Sequence, residues 1–231
     1  MMRLFVHVEG QTEEEFVNEV LALELYKVGY TSVSARICGA ARARKRRGGI
    51  CGWPTFREEV ARHLRGDGDV YATTFVDFYA LPSGGPTGWP GRDTCGGLQV
   101  YQKAKHIEAA LKADFVANYG IDLSQRFLPF IAMHEFEGLL FSDPHLMAVG
   151  MGFDWLSADF QTIRDSFATP EHINDSRVTA PSKRILALAP GYNKILHGNV
   201  AALEVTLPRI REQCPVFHDW MNELELLVAA P

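Results

Sequence analysis

The sequence predicts an α/β fold: a mainly parallel sheet flanked by helices, followed by a C-terminal helical subdomain. Three observations carry this. Short apolar, β-rich runs alternate with segments of helical periodicity through the first 135 residues, the pattern of βαβ units. The strand candidates are continuously apolar rather than alternating, as strands covered on both faces are. From about residue 136 onward, short helical patterns replace the alternation. A boundary near 142 divides a core of residues 1–142 from helices in residues 143–231.

Taken in order, RLFVHV (3–8) reads as a buried strand and TEEEFVNEVLALELYKVG (12–29) as a helix stopped near Gly29. Phe16, Val20 and Leu23 are expected on one face of that helix, beside Val17 and Leu21. TSVSARI (31–37) is the second strand, a helix follows near 55–65, and DVYATTFVDF (69–78) is the third strand. The Gly/Pro-rich stretch 80–97 has the composition of a lid. Residues 98–120 form a long helix with Val100, Ala104, Ile107, Leu111 and Phe115 inward. RFLPFIAMHE (126–135) is the fourth strand, in which Pro129 removes a ladder donor. PVFHDWMNELELLVAA (215–230) is the clearest late helix, with Pro215 in its first turn.

Length and composition are those of a water-soluble domain: 231 residues, 47% hydrophobic and 22% charged. No apolar run is long enough to span a membrane, and the N-terminus turns acidic too soon for a signal peptide, so a cytoplasmic location without membrane association is expected. Cys38, Cys51, Cys95 and Cys214 lie far apart with no Cys-x-x-Cys pair and read as reduced thiols, not a zinc site. The net charge of -5 is uneven. Residues 25–57 hold Lys27, Arg36, Arg42, Arg44, Lys45, Arg46, Arg47 and Arg57 and no acid, so this stretch carries +8 and the rest of the chain -13. Arg42, Arg44, Lys45, Arg46 and Arg47, with two glycines behind them, suit sequence-independent, salt-sensitive contact with nucleic acid. Docking of an acidic protein is the other use of such a loop.

The carboxylates admit two readings. Thr12 and Glu15 have the spacing of a capping box, and Glu13 and Glu14 suit the first turn of a helix. Glu9 is different, because it closes the first strand ahead of Gly10, whose freedom at φ suits a tight turn. Asp77 closes the third strand and Glu135 the fourth, with Glu137 just after. In a parallel sheet these acids meet at the carboxyl rim, where ligands bind. Clustered carboxylates raise one another's pKa unless a cation is present, and Mg²⁺ suits carboxylate oxygens plus a substrate phosphate. His7 and Glu9 share a strand face, but neither His7 nor His134 has the i, i+4 partner of a zinc protease motif. His134 is expected beside the site as a hydrogen-bonded residue. Lys183, Arg184 and Lys194 form a second basic group able to reach the same substrate, although Ser182 has the type and place to cap a helix beginning there. Trp53 and Trp89 are either base-stacking or packed aromatics.

In order along the chain, VEGQTEEEF, FVDFYALP, HEFEGLLFSD, APSKRI, PGYNKILHG and CPVFHDWMNELE resemble the Toprim-like family of unknown function that is often encoded beside an AAA-type ATPase. That family includes the nuclease effector of the PARIS anti-phage system and is related to the overcoming-lysogenization-defect (OLD) nucleases. The resemblance implies a Toprim-like fold and Mg²⁺- or Mn²⁺-dependent hydrolysis of nucleic acid, with tRNA as a candidate substrate. It further implies control by the ATPase and a homodimer. By resemblance, Glu9 is the first-strand glutamate, Asp77 the first acid of an Asp-x-Asp pair, and Glu13 a second acid one turn into the first helix. Glu135 and Glu137 complete the metal shell. Position 79 is Tyr rather than the second Asp, which argues against a plain topoisomerase or primase. The implied catalytic set is Glu9, Asp77, Glu135 and Lys183, with Arg184 and Lys194 on the phosphates. A regulatory, non-catalytic partner of the ATPase and a DNA-nicking enzyme are the alternatives.

Overall fold

A computed structural model describes residues 2–39, 50–174, 176 and 178–229. Strand β1 (Arg3–Val8) leads into helix α1 (Gln11–Phe16), which continues through a π-helical segment (Val17–Leu21) into α2 (Ala22–Lys27). Strand β2 (Ser32–Ile37), helix α3 (Trp53–Gly66) and strand β3 (Val70–Asp77) follow. The long helix α4 (Val100–Tyr119) and α5 (Ile121–Gln125) precede two short strands, β4 (Phe127–Leu128) and β5 (Ile131–Ala132). The remaining helices are α6 (Phe136–Leu140), α7 (Pro144–Met151), α8 (Ser157–Asp165), α9 (Pro181–Leu188), α10 (Lys194–Val205), α11 (Leu207–Gln213) and α12 (Pro215–Ala229).

The strands lie in the order β2-β1-β3-β4, with β5 also paired to β3, and every pairing is parallel. The α/β class with a parallel sheet flanked by helices is therefore what the chain adopts. Register places Val8 beside Phe75, so those residues share one sheet face and His7 takes the other. On the first face Phe75 meets Phe16 and Trp220. On the second, Phe5 and His7 meet His63 and Phe56 of α3. The order 2-1-3 reverses the direction of winding between β1 and β3. The crevice beyond the carboxyl ends of those two strands is where open α/β sheets bind ligands.

Several expectations need correction. The Thr12–Glu15 capping box does not form. Gly10 is the N-cap, no side chain caps α1, and Glu15 instead accepts a bond from Asn199. Gly10 is extended (φ -157), so its freedom at positive φ plays no part. Leu23, expected inward, is 53% exposed, whereas Ala22 and Leu25 are buried. The wider π-helical turn before it accounts for this, since one extra residue per turn rotates everything after it. Ser182 does not cap α9, which begins at Pro181 after Ala180. The fourth strand is split in two around Pro129, as a missing ladder donor requires. Trp53 and Trp89 are buried against each other and Phe56, so they pack rather than present faces to bases. Trp89 also donates to the Cys51 carbonyl at 3.1 Å, which ties the 80–97 stretch down.

Candidate active site

Four segments meet at the β1/β3 crevice. Glu9 directly follows β1. Glu13 lies one turn into α1, 4% exposed. Asp77 ends β3, and its Oδ1 accepts the Phe136 N–H at 2.8 Å, which fixes the carboxylate against the start of α6. Glu135 is the N-cap of α6, and its Oε2 accepts the Ser182 N–H at 2.9 Å. Glu137, in the first turn of α6, is wholly buried, and its Oε1 accepts from the Tyr192 hydroxyl at 3.5 Å. His134, immediately before Glu135, has φ +64, a left-handed conformation uncommon outside glycine. That turn swings the chain from β5 into α6.

The fifth contributor is Lys194, the first residue of α10 after Asn193, whose side chain caps that helix through Leu196 N–H. Its ammonium lies 3.3 Å from Glu13, 3.4 Å from Asp77 and 3.2 Å from Glu137. Two contacts set the position of α10. Gly150 of α7 allows a close crossing, since a Cβ there would fall 2.6 Å from the Ala201 Cα. Asn199 donates to the Thr12 carbonyl and to Glu15, joining α10 to α1.

The electrostatics follow from this crowding. Burial first, then Glu13, Glu135 and Glu137, push the Glu9 carboxyl up to about 7, against the pull of Lys194. Burial and the neighbouring acids also raise Asp77 and Glu137, again against Lys194. Burial alone would lower Lys194, but Glu137, Asp77, Glu13 and Glu135 hold it well above its ordinary value. Tyr192 is raised by burial and by Glu137 and stays a neutral hydrogen-bond donor.

The five acids predicted as metal ligands, Glu9, Glu13, Asp77, Glu135 and Glu137, thus come together. Among the described residues no trio of His, Cys, Asp and Glu side chains is already spaced as a metal-binding group, because the Lys194 ammonium stands at their focus. The donor set still fits a hard divalent cation. It is all carboxylate oxygen, one ammonium faces five acids, and Glu9 Oε2 is buried with no hydrogen-bond partner among the described residues. Glu137 Oε2 is likewise buried without a hydrogen bond, although it lies within ion-pair distance of Lys194.

The basic residues divide. Lys194, expected on the substrate phosphates, is inside the carboxylate cluster. Lys183 is exposed on the first turn of α9, next to the Ser182 N–H that holds Glu135. Arg184 covers the Phe167 ring and donates to the Thr179 carbonyl. Arg42, Arg44, Lys45, Arg46 and Arg47 lie outside the described residues. Sequence reasoning missed Asn199 and gave Tyr192 no role. The Tyr-x-Lys spacing after a Pro-Gly turn was the available signal for the latter.

Neither a curated protein nor a solved structure matches the chain. Residues 8–225 match a family described as Domain of unknown function (DUF4276), from the end of β1 to within α12. The match spans nearly all of the described chain, and the chain belongs to that family, the domain of unknown function DUF4276.

Proposed function

We propose that this protein is a Toprim-type, Mg²⁺- or Mn²⁺-dependent nuclease that hydrolyses phosphodiester bonds. The observation that carries the reading is the convergence of five carboxylates on one ammonium at the β1/β3 switch point. Glu9, Glu13, Asp77, Glu135 and Glu137 would hold the metal. When bound, a divalent cation supplies the charge that activates a water and stabilises the leaving oxygen.

The chain's own residues do the rest. The N–H groups of Phe136 and Ser182 orient Asp77 and Glu135, so neither carboxylate needs to reorganise when a ligand arrives. Lys194 supplies fixed positive charge for the developing negative charge on a phosphate. Glu9, with its carboxyl near 7 in the metal-free protein, is suited to exchange a proton at neutral pH. Lys183 and Arg184, at the edge of the site on α9, are placed to meet a substrate strand, and the basic stretch 42–47 adds sequence-independent affinity. By the resemblance, tRNA is the first substrate to try, an AAA-type ATPase restrains the activity, the enzyme works as a homodimer in an anti-phage role, and the site is cytoplasmic.

The test is calorimetric titration of Mg²⁺ and Mn²⁺ into the wild type and Asp77→Ala, followed by cleavage assays on tRNA and plasmid DNA. The expected result is binding that Asp77→Ala abolishes and cleavage that both Glu9→Ala and Asp77→Ala abolish with folding retained. Cleavage retained in both variants would overturn the site. Tyr79 in place of a second Asp favours one other reading, a non-catalytic regulator of the ATPase. Metal-independent capture of the ATPase, without metal binding or cleavage, would establish that reading instead.

A further inference from the structure

Phe78 directly follows Asp77, and its buried ring collects two cations. The Arg92 guanidinium lies 4.0 Å from the ring centroid and the Lys103 ammonium 5.0 Å from it. The His134 ring meets the same ring edge-on at 5.8 Å. Neither Arg92 nor Lys103 forms an ion pair with a carboxylate among the described residues, and Arg92 Nε is buried without a hydrogen-bond acceptor among them. Two like charges drawn to one aromatic ring repel each other, and a buried guanidinium N–H left unmet is costly. The ring's negative face offsets part of this, but supplies no oxygen to accept a hydrogen bond.

The cluster is held in place rather than loosely attached. Arg92 N–H donates to the Trp89 carbonyl at 3.1 Å, and Trp89 is buried against Trp53 and Phe56. Gly91 lets this turn close onto α4. It has φ +81, and a Cβ there would fall 3.0 Å from the Ile107 Cα. Lys103 lies in the first turn of the 20-residue helix α4, where no side chain caps the free N–H groups. The Tyr79 N–H donates to the His134 carbonyl at 3.0 Å, linking the Phe78 turn to the turn that carries Glu135.

We propose that Arg92 and Lys103, set over Phe78, form a phosphate-binding shelf beside the carboxylate cluster and hold a phosphate of the substrate strand next to the one being cut. The shelf rests on the nuclease reading for the source of its phosphate, but not for its chemistry. Two fixed cations, one with planar donors and an unmet N–H, suit a phosphate oxyanion wherever it comes from. The arrangement also gives the site polarity, with the acids at Asp77 for the metal and the cations one residue further for the backbone.

The test measures binding of a fluorescent oligoribonucleotide by anisotropy across a salt series, with Ca²⁺ present, for the full chain and Arg92→Gln/Lys103→Gln. Thermal shift with tripolyphosphate serves as the second probe. Circular dichroism checks folding, and Lys103→Gln alone is the fallback should the double variant fail to fold. The expected result is at least about tenfold weaker binding, with the slope of log K against log salt reduced by about 1.5 for two lost phosphate contacts. For Lys103→Gln alone the slope should fall by about 0.7. Unchanged affinity and slope, with wild-type binding intact, would overturn the shelf and leave the nuclease reading standing. Tripolyphosphate that stabilises the wild type but not the variant, with no oligonucleotide binding by either, would establish the shelf and remove the nuclease reading. Absence of both responses in the wild type would overturn both.

Discussion

Lys194 is the residue on which the site balances. Its ammonium is the shared partner of Glu13, Asp77 and Glu137, and without it the buried acids face only one another. Lys194→Met should therefore destabilise the metal-free protein by about 2 kcal/mol. That is less than a fully enclosed ion pair would cost, because the side chain is 35% exposed and partly screened. Urea unfolding with and without millimolar Mg²⁺ checks this, and Mg²⁺ should return more stability to the variant than it adds to the wild type. Equal Mg²⁺ effects on both would mean that the ammonium and the metal do not compete for these carboxylates. Much of the site at this scale was legible in the sequence, because strand-end acids fall at one rim once the sheet is parallel. Lys194 was not, because it reaches Asp77 across 117 positions of the chain and nothing local marks which face of α10 turns inward.

At the scale of elements, the junction of α4 with β5 carries a second buried acid. Glu108, 8% exposed, pairs with Lys105 at 3.0 Å and accepts the Ile131 N–H at 3.3 Å. Burial nonetheless pushes its carboxyl up to about 7. A folded-state pKa above the unfolded one means the native protein holds the proton longer. The associated stability is complete below about pH 4.5 and is lost as pH rises through about 7, at up to ~1.4 kcal/mol per pH unit. Glu108→Gln keeps an acceptor for Ile131 and removes the titration. Urea midpoints measured from about pH 5 to pH 8 should fall less steeply in this variant than in the wild type. Glu171, held up to about 7 by burial beneath α12, contributes in the same sense, so the slope is reduced rather than abolished. An unchanged slope would show that Glu108 stays ionised throughout. The elements themselves were largely readable from periodicity and from Pro129. The π-helical turn at Val17–Leu21 was not, because its apolar spacing also fits an ordinary helix and only the exposure of Leu23 reveals the shift.

For the whole molecule, the question is whether the sheet and the helices after residue 142 stand or fall together. Trp220 of α12 stacks on Phe130 at 4.2 Å, meets Phe75 at 5.7 Å, and donates through Nε1 to Thr73 Oγ1 at 2.9 Å. Near the other end of α12, the Leu224 carbonyl accepts the Tyr30 hydroxyl at 2.8 Å. These contacts were not legible in the sequence, since alternation and periodicity name faces but not partners some 90 to 195 positions away. They tie the last helix to β3, to β5's approach and to the turn before β2, so the strand that ends in Asp77 is braced by the C-terminal half. Trp220→Ala should cost about 3–5 kcal/mol, through lost aromatic burial and a Thr73 hydroxyl left without its donor. If the chain is one cooperative unit, far-ultraviolet circular dichroism and tryptophan fluorescence will report a single shared urea midpoint in the wild type, and both will move together in the variant. Separated midpoints, with the Trp220→Ala change shifting only one, would instead mean that the helical half unfolds on its own and that Asp77 keeps its setting without it.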